Sequence, residues 1–247
     1  MNSKVLLKIG AAVAFIACIA YAALDLSLGS FVSRGVNRFG PQITRTKVTL
    51  AGAHISPLTG SGALTGLFVG NPEGWRSEKA FYLGKIHVEI APGSLFGDHV
   101  VVNEVEIDQP EFVYETRFVS SNIGELLKNV SGSSTDDPSA QVTTKTGKPI
   151  KFEVKHFLLK NGHVKLGIGA AAMTLPMPPI ELTDLGTNEG GITSGQLAVA
   201  VMRSVATGVV SATTQAAGKI GSTMGAAAGN AAERAGEGLK SLFGEKK

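Results

Sequence analysis

The chain has 247 residues, 43% of them hydrophobic, with 23 Lys and Arg against 20 Asp and Glu, five His and a single Cys. One Cys excludes a disulfide framework, and five scattered His offer no structural zinc module. A net charge of +3 is too small for a nucleic-acid binder, and the hydrophobic fraction is too high for a disordered chain.

Ile9 to Leu24 form sixteen uncharged, mostly apolar residues, and the run extends back through Val5, Leu6 and Leu7 if Lys8 snorkels toward headgroups. Twenty helical residues at 1.5 Å each cover about 30 Å, the thickness of a bilayer's hydrocarbon core. Residues 1–24 are therefore read as a transmembrane anchor. Ala20-Tyr21-Ala22 would also suit a signal-peptide cleavage site, and an uncleaved anchor is the favoured reading. Lys4 and Lys8 precede the span and Arg34 and Arg38 follow it, so charge bias does not fix orientation; long domains translocate regardless, which places the bulk of the chain outside the cytoplasm.

After the span, Leu26, Leu28, Phe31, Val32, Val36 and Phe39 form a helical stripe expected to end at Gly40-Pro41. The period then becomes two. Val48 and Leu50, then Ile86, Val88 and Ile90, then Val105 and Ile107, then Phe112 and Tyr114 alternate with polar residues, as in strands with one apolar and one solvated face. A short helix is expected from Ser121 to Val130, capped by Asn122, and a mobile loop over residues 131–147. Residues 150–168 read as a hairpin closed by Lys160-Asn161-Gly162. That register sets Leu158 opposite Val164, His156 opposite Leu166 and Val154 opposite Ile168, with Phe152 on the same face and His156 and His163 on opposite faces. Pro176, Pro178 and Pro179 mark residues 171–182 as an edge strand or a corner.

From Gly195 onward Ala and Gly supply 21 of 53 residues. A helix is expected over Gln196 to Ala217, with Leu197, Val201, Val205 and Val209 on one side, and Arg203 with scattered Ser, Thr and Gln make it too polar for a second span. Gly221, Gly225 and Gly229 are spaced as in close helix packing, a spacing that chance readily supplies in so Ala-rich a tail.

The chain shows no nucleophile elbow, phosphate loop or Cys-x-x-Cys. Gly167 to Ala172 fits a dinucleotide fingerprint loosely, but prolines follow where the binding helix should run. Glu104, Glu106 and Asp108 project from one strand face, where they could gather a divalent cation; the favoured reading is a solvated face that discourages edge-to-edge association. Neither a catalytic set, a metal nor a cofactor is expected. The apolar face, carried by Val48, Leu50, Ile86, Val88, Ile90, Val105, Ile107, Phe112, Tyr114, Phe152, Val154, Leu158, Val164, Leu166 and Ile168, either packs under helices or forms a groove for lipid chains, and periodicity does not separate the two.

The stretch Ile55-Ser56-Pro57-Leu58-Thr59-Gly60-Ser61-Gly62, then Leu67-Phe68-Val69-Gly70-Asn71-Pro72-Glu73-Gly74, and later Val105-Glu106-Ile107-Asp108-Gln109-Pro110 resembles the N-terminal region of AsmA-like proteins of bacterial envelopes, over about residues 1–130. The resemblance implies an α+β chain with an N-terminal transmembrane helix, a mainly antiparallel, curved, chorein-like folded-over sheet over residues 25–192, short helices, and an Ala/Gly-rich helical tail over residues 193–247. It further implies an inner-membrane, single-pass protein with its bulk in the periplasm, binding membrane lipid and contributing to phospholipid transfer or outer-membrane homeostasis without catalysis. The alternative is an envelope scaffold whose tail docks on a partner or membrane surface; the partners expected are membrane lipid and either another protein or a second copy, and no nucleic acid. Eight strands at about 4.8 Å span on the order of 35 Å, too little to bridge a periplasm.

Overall fold

The computed structural model describes residues 3–95, 97–117, 120–134, 142–144, 147–167 and 172–216, with the side chains of Phe15, Tyr21 and Leu24 alone within residues 3–26 and only the backbone of Ser134. Among the described residues the chain is α+β, with three α-helices and a mixed, mostly antiparallel sheet. Helix α1 is Ser3–Thr44, α2 is Asn122–Ser134 and α3 is Ser194–Ala216. The strands are β1 (Val48–Ile55), β2 (Ser61–Gly70), β3 (Lys79–Ile90), β4 (His99–Asp108), β5 (Glu111–Tyr114), a separate small pair β6 (Thr116–Arg117) and β7 (Ser120–Ser121), then β8 (Lys151–Lys160), β9 (His163–Leu166), β10 (Met173–Pro176), β11 (Ile180–Leu185) and β12 (Ile192–Thr193).

The ten strands of the main sheet lie along six lines. β4 and β5 pair successively with the same edge of β3, β8 and β9 run parallel to β4 and β5, and β11 and β10 close the far edge against β8 and β9. Thus β8 and β9 are not the two arms of a hairpin. The sequence Lys160-Asn161-Gly162 carries the chain straight on instead of turning it back. Asn161 takes a positive φ of 54°, and the backbone N–H of Gln109 donates to the Lys160 carbonyl at 3.1 Å while that of His163 donates to the Pro110 carbonyl at 2.9 Å. The hairpin expectation failed because a Gly two residues past a strand suits a turn and an in-line break equally, and parallel partners are invisible to local turn chemistry.

Two side-chain rows show what this arrangement buries. Ala53, Leu64, Ile86, Ile107, Leu159 and Ile180 are successive register partners across all six lines. So are Val48, Val69, Phe81, Phe112, Val164 and Leu175. Within each line the residues of the two rows are an odd number of positions apart, so strict alternation would set them on opposite faces. One extra residue per line restores them to one face. The ladder skips Ala51, Gly66 and Gly84 in β1 to β3, and Gln109-Pro110, Asn161-Gly162 and Met177-Pro178-Pro179 interrupt the other three lines. A continuous crease of unpaired residues, opposite one another and without a change of register between β1, β2 and β3, therefore crosses the sheet, and Gly66 (φ 64°), Gln109 (φ 54°) and Asn161 supply its left-handed backbone.

Three helices cover the apolar face: Val32, Val36 and Ile43 of α1, Ile123, Leu126 and Val130 of α2, and Met202, Val205, Val209 and Ala212 of α3 join one core with the strand residues. Helix α1 runs past the expected stop at Gly40-Pro41, because the Pro41 carbonyl still accepts from Arg45 N–H and the Thr44 hydroxyl caps the Gly40 carbonyl. Helix α2 is capped by the Ser121 hydroxyl, which accepts from Gly124 N–H at 3.1 Å, and not by Asn122. It also continues to Ser134, into the segment expected to be a loop, with Ser133 buried; residues 135–141 and 145–146 of that expected loop lie outside the described residues.

Helix α3 has the length and composition to cross a membrane, with a mean hydropathy of 1.4, despite Arg203 and its Ser, Thr and Gln, and it also packs Met202, Val205, Val209 and Ala212 into the core. It is the one such helix found among the described residues, and a third of that stretch is buried against the rest of the chain. The expected glycine spacing at 221, 225 and 229 lies outside the described residues.

Candidate functional site: the apolar face and the clefts behind it

Of the residues assigned to the apolar face, Val48, Leu50, Ile86, Val88, Ile90, Ile107, Phe112, Val154 and Val164 are buried. Val105 and Tyr114 are half-buried against the same core. Phe152 pairs with Val100 and Ile192, and Leu166 with Tyr114 and Met173, which places both on this face at its two ends. Ile168 lies outside the described residues. The face is one continuous apolar surface, and it is floored by the chain's own helices.

Leu158 is a correction. Its register partners are Glu106 and Glu181, on the solvated face, while Phe157 and Leu159 enter the core. A second irregularity explains the inversion: the ladder skips Asn103 and Lys155, and Asp184 beside them has a φ of 54°. An extra residue at Lys155 reverses alternation after Val154. His156 consequently faces solvent with the acidic set, and because no hairpin forms, His163 shares that face.

The acidic residues of β4 meet basic partners. His156 lies between Glu104 (Nδ1 to Oε1, 3.5 Å) and Glu181 (Nε2 to Oε1, 3.0 Å), and Lys160 Nζ is 2.7 Å from Glu106. The hydrogen bond to Glu181, aided by Glu104 and opposed by partial burial, raises the His156 pKa. Among the described residues no group of three His, Cys, Asp or Glu is arranged to hold a metal ion.

A polar cluster that alternation did not reveal sits at the ends of β2, β3 and β5, where α2 begins. Glu115 is buried, and its carboxylate accepts from the Ser77 N–H (2.8 Å), the Arg76 N–H (3.1 Å) and the Ser77 hydroxyl. Burial alone would raise its pKa, but these bonds and the nearby Arg117 guanidinium hold it below the usual glutamate range. Asn122 accepts from Glu115 N–H and donates to the Val113 carbonyl and to Asn71, whose own amide donates to Ser77. Trp75 donates to Glu125 at 2.8 Å, and Arg117 stacks on its ring at 4.4 Å while donating to the Gly74 carbonyl. The Asn-Pro-Glu-Gly turn of the sequence is thus clamped onto the start of α2.

Beside this cluster opens a cleft of about 780 Å³, lined by Arg76, Lys79, Glu111, Val113, His163 and Lys165 among others, and a smaller one of about 400 Å³ shares Arg76 with it. Lys79 is committed to Glu111 at 2.6 Å. Both clefts are open and of mixed lining: Phe112 borders the larger, and Tyr114 and Leu166, from the end of the apolar face, border the smaller.

No protein family, curated protein or solved structure matches this chain.

Proposed function

We propose that the chain is a non-catalytic, membrane-tethered module of the bacterial envelope, of the AsmA-like type, whose sheet is a closed structural core. The observation that carries this reading is the coverage of the apolar rows by α1, α2 and α3: the surface a lipid would occupy is filled by side chains of the same molecule. The apolar N-terminal run of α1 supports the tether. The crease supports a sheet of the folded-over, chorein-like kind, because a line of unpaired residues, several of them left-handed, lets a sheet bend while its apolar rows stay on one face. Inner-membrane anchoring with the bulk in the periplasm follows from the resemblance over residues 1–130.

Native mass spectrometry of the detergent-extracted full chain tests the reading. A lipid-free mass is expected, and stoichiometric phospholipid would overturn it. The scaffold role is tested by removing residues 217–247, which leaves α3 in place; truncating at residue 195 would strip the core and say nothing about a partner.

A lipid-binding reading has one observation in its favour: the helix over β10 and β11 is itself apolar enough for a bilayer, so a lipid chain could replace it on the sheet. On that reading a disulfide joining α3 to β11 abolishes lipid retention. On the scaffold reading it changes nothing.

A further inference from the structure

Helix α1 is laid along the free edge of β1 in fixed register. A Cβ at Gly29 would meet the Ala53 carbonyl oxygen, a Cβ at Gly40 would meet Val48, and Asn37 between them bonds Leu50. Eleven helical residues advance about 16.5 Å and five strand residues about 16.5 Å, so the two elements stay matched over the whole contact. Helix and strand run in opposite directions. Going back along α1 therefore leads to the β1–β2 loop, and there the Tyr21 hydroxyl lies 3.4 Å from Ser56 Oγ.

Tyr21 belongs to the last turn of the apolar run that ends at Leu24. The loop Ser56-Pro57-Leu58-Thr59 stands level with it, and Leu58 is 74% exposed, the highest value among the large hydrophobic residues of the described chain. The loop is held rather than loose: Ser56 N–H donates to the Ser61 carbonyl, Gly60 N–H to the Ser56 carbonyl and Ile90 N–H to the Gly60 carbonyl, which ties it to the end of β3. An apolar tip on a braced turn, level with the end of the apolar run, stands where its side chain can enter a membrane interface.

We propose that Leu58 inserts into the headgroup and acyl boundary of the bilayer that α1 crosses, so that the β1–β2 end of the sheet rests on the membrane surface. This rests on the tethered reading above and specifies the orientation of the domain: the β1–β2 turn faces the bilayer, and the β5, β9 and β10 end points away from it. Two attachments, the span, whose last turn meets the loop at Tyr21, and the Leu58 tip, restrict tumbling of the domain about its tether.

The full chain with Cys18→Ser carries an environment-sensitive fluorophore at Leu58→Cys or, as a far-end control, at Thr174→Cys, both at exposed positions, in vesicles of phosphatidylethanolamine and phosphatidylglycerol. The label at residue 58 is expected to emit to the blue of its value in water and to be quenched by spin-labelled lipid, with neither effect at residue 174. Flotation with the vesicles but unquenched, water-like emission at residue 58 would overturn the insertion and leave the tether standing. Failure to float would overturn both. Equal quenching at 58 and 174 would overturn the stated orientation.

Discussion

The side chain of Asn37 occupies the place of a neighbouring strand beside Leu50: its Oδ1 accepts the Leu50 N–H at 2.6 Å and its Nδ2 donates to the Leu50 carbonyl at 3.4 Å. β1 is a sheet edge, and α1 covers it, so these two backbone groups would otherwise face a helix without a partner. Asn37→Ala leaves both unmet and is expected to cost about 1–3 kcal/mol. Asn37→Gln, one methylene longer in a packed seam, should recover only part of this. Chemical denaturation of the full chain in detergent reads the difference, and a loss within error for Asn37→Ala would refute the edge-covering role.

Glu115 sets an acid limit on stability. Its folded pKa is depressed, so the associated stabilisation is complete above the unfolded glutamate pKa and is lost as pH falls through the lower folded value. Glu115→Gln keeps the size but weakens three hydrogen bonds to a charged acceptor, and about 2–4 kcal/mol should be lost near neutrality. Thermal unfolding followed from neutral pH downward should show the mutant and parent converging in acid. Parallel curves would mean that the carboxylate is not the group holding residues 76 and 77.

The opposite sign applies to His156. Its pKa is raised by Glu181 and Glu104, so its ion pairs stabilise the fold while the imidazolium persists, below the ordinary histidine pKa, and this contribution disappears as pH rises through the raised folded value. Nuclear magnetic resonance of the ring protons should give a His156 midpoint above the ordinary value. Glu181→Gln should lower that midpoint more than Glu104→Gln, because the Glu181 contact is the shorter. Equal midpoints in parent and both mutants would remove the electrostatic link between β4, β8 and β11.

The crease depends on Gly66, which combines a φ of 64° with a position where any Cβ would lie 2.8 Å from the Ala51 Cβ. Gly66→Val adds left-handed strain for a β-branched residue to a steric clash, and a loss of about 3 kcal/mol is expected. Asn161, at the same crease, tolerates its positive φ by residue type. Asn161→Gly should therefore change stability by less than about 1 kcal/mol, even though it removes the exposed bond to Asp108. Comparable losses at both positions would argue against backbone conformation as the cause.

What could be read in advance follows from the reach of each signal. Alternation over Ile86–Ile90 and Val105–Ile107 marks core faces correctly because neither run itself gains a residue: the register shift beside Glu89 and Ile90 is taken up by Asn103 on β4. It fails at Leu158 because the decisive residue is an inserted Lys155, which looks in sequence like any other solvated lysine. The hairpin over residues 150–168 fails for a related reason, since Asn161 and Gly162 announce a left-handed residue and not the direction the chain takes afterwards. The Glu115 cluster draws its members from Asn71, Ser77 and Asn122, separated by tens of residues, and no local pattern joins them.

Two glycines at helix contacts should respond to the same substitution by very different amounts. Alanine gains about 1 kcal/mol over glycine from helix propensity alone, so steric context decides the net effect. At Gly208 in α3 the new methyl would meet the Met177 Cε at 2.6 Å and the Ile180 Cδ1 at 3.1 Å. Both are ends of flexible side chains that can move, and Gly208→Ala should leave stability within about 1 kcal/mol of the parent. At Gly29 in α1 the methyl would fall 2.1 Å from the Ala53 carbonyl oxygen, which the β1–β2 ladder holds in place. Helix and strand must separate there, so Gly29→Ala should cost several times more, on the order of 3 kcal/mol, comparable to overpacking a core. It should also weaken the Asn37 bonds to Leu50, and faster hydrogen exchange at the Leu50 amide would register that directly. If Gly29→Ala proves as mild as Gly208→Ala, α1 is not seated on β1 at the separation described.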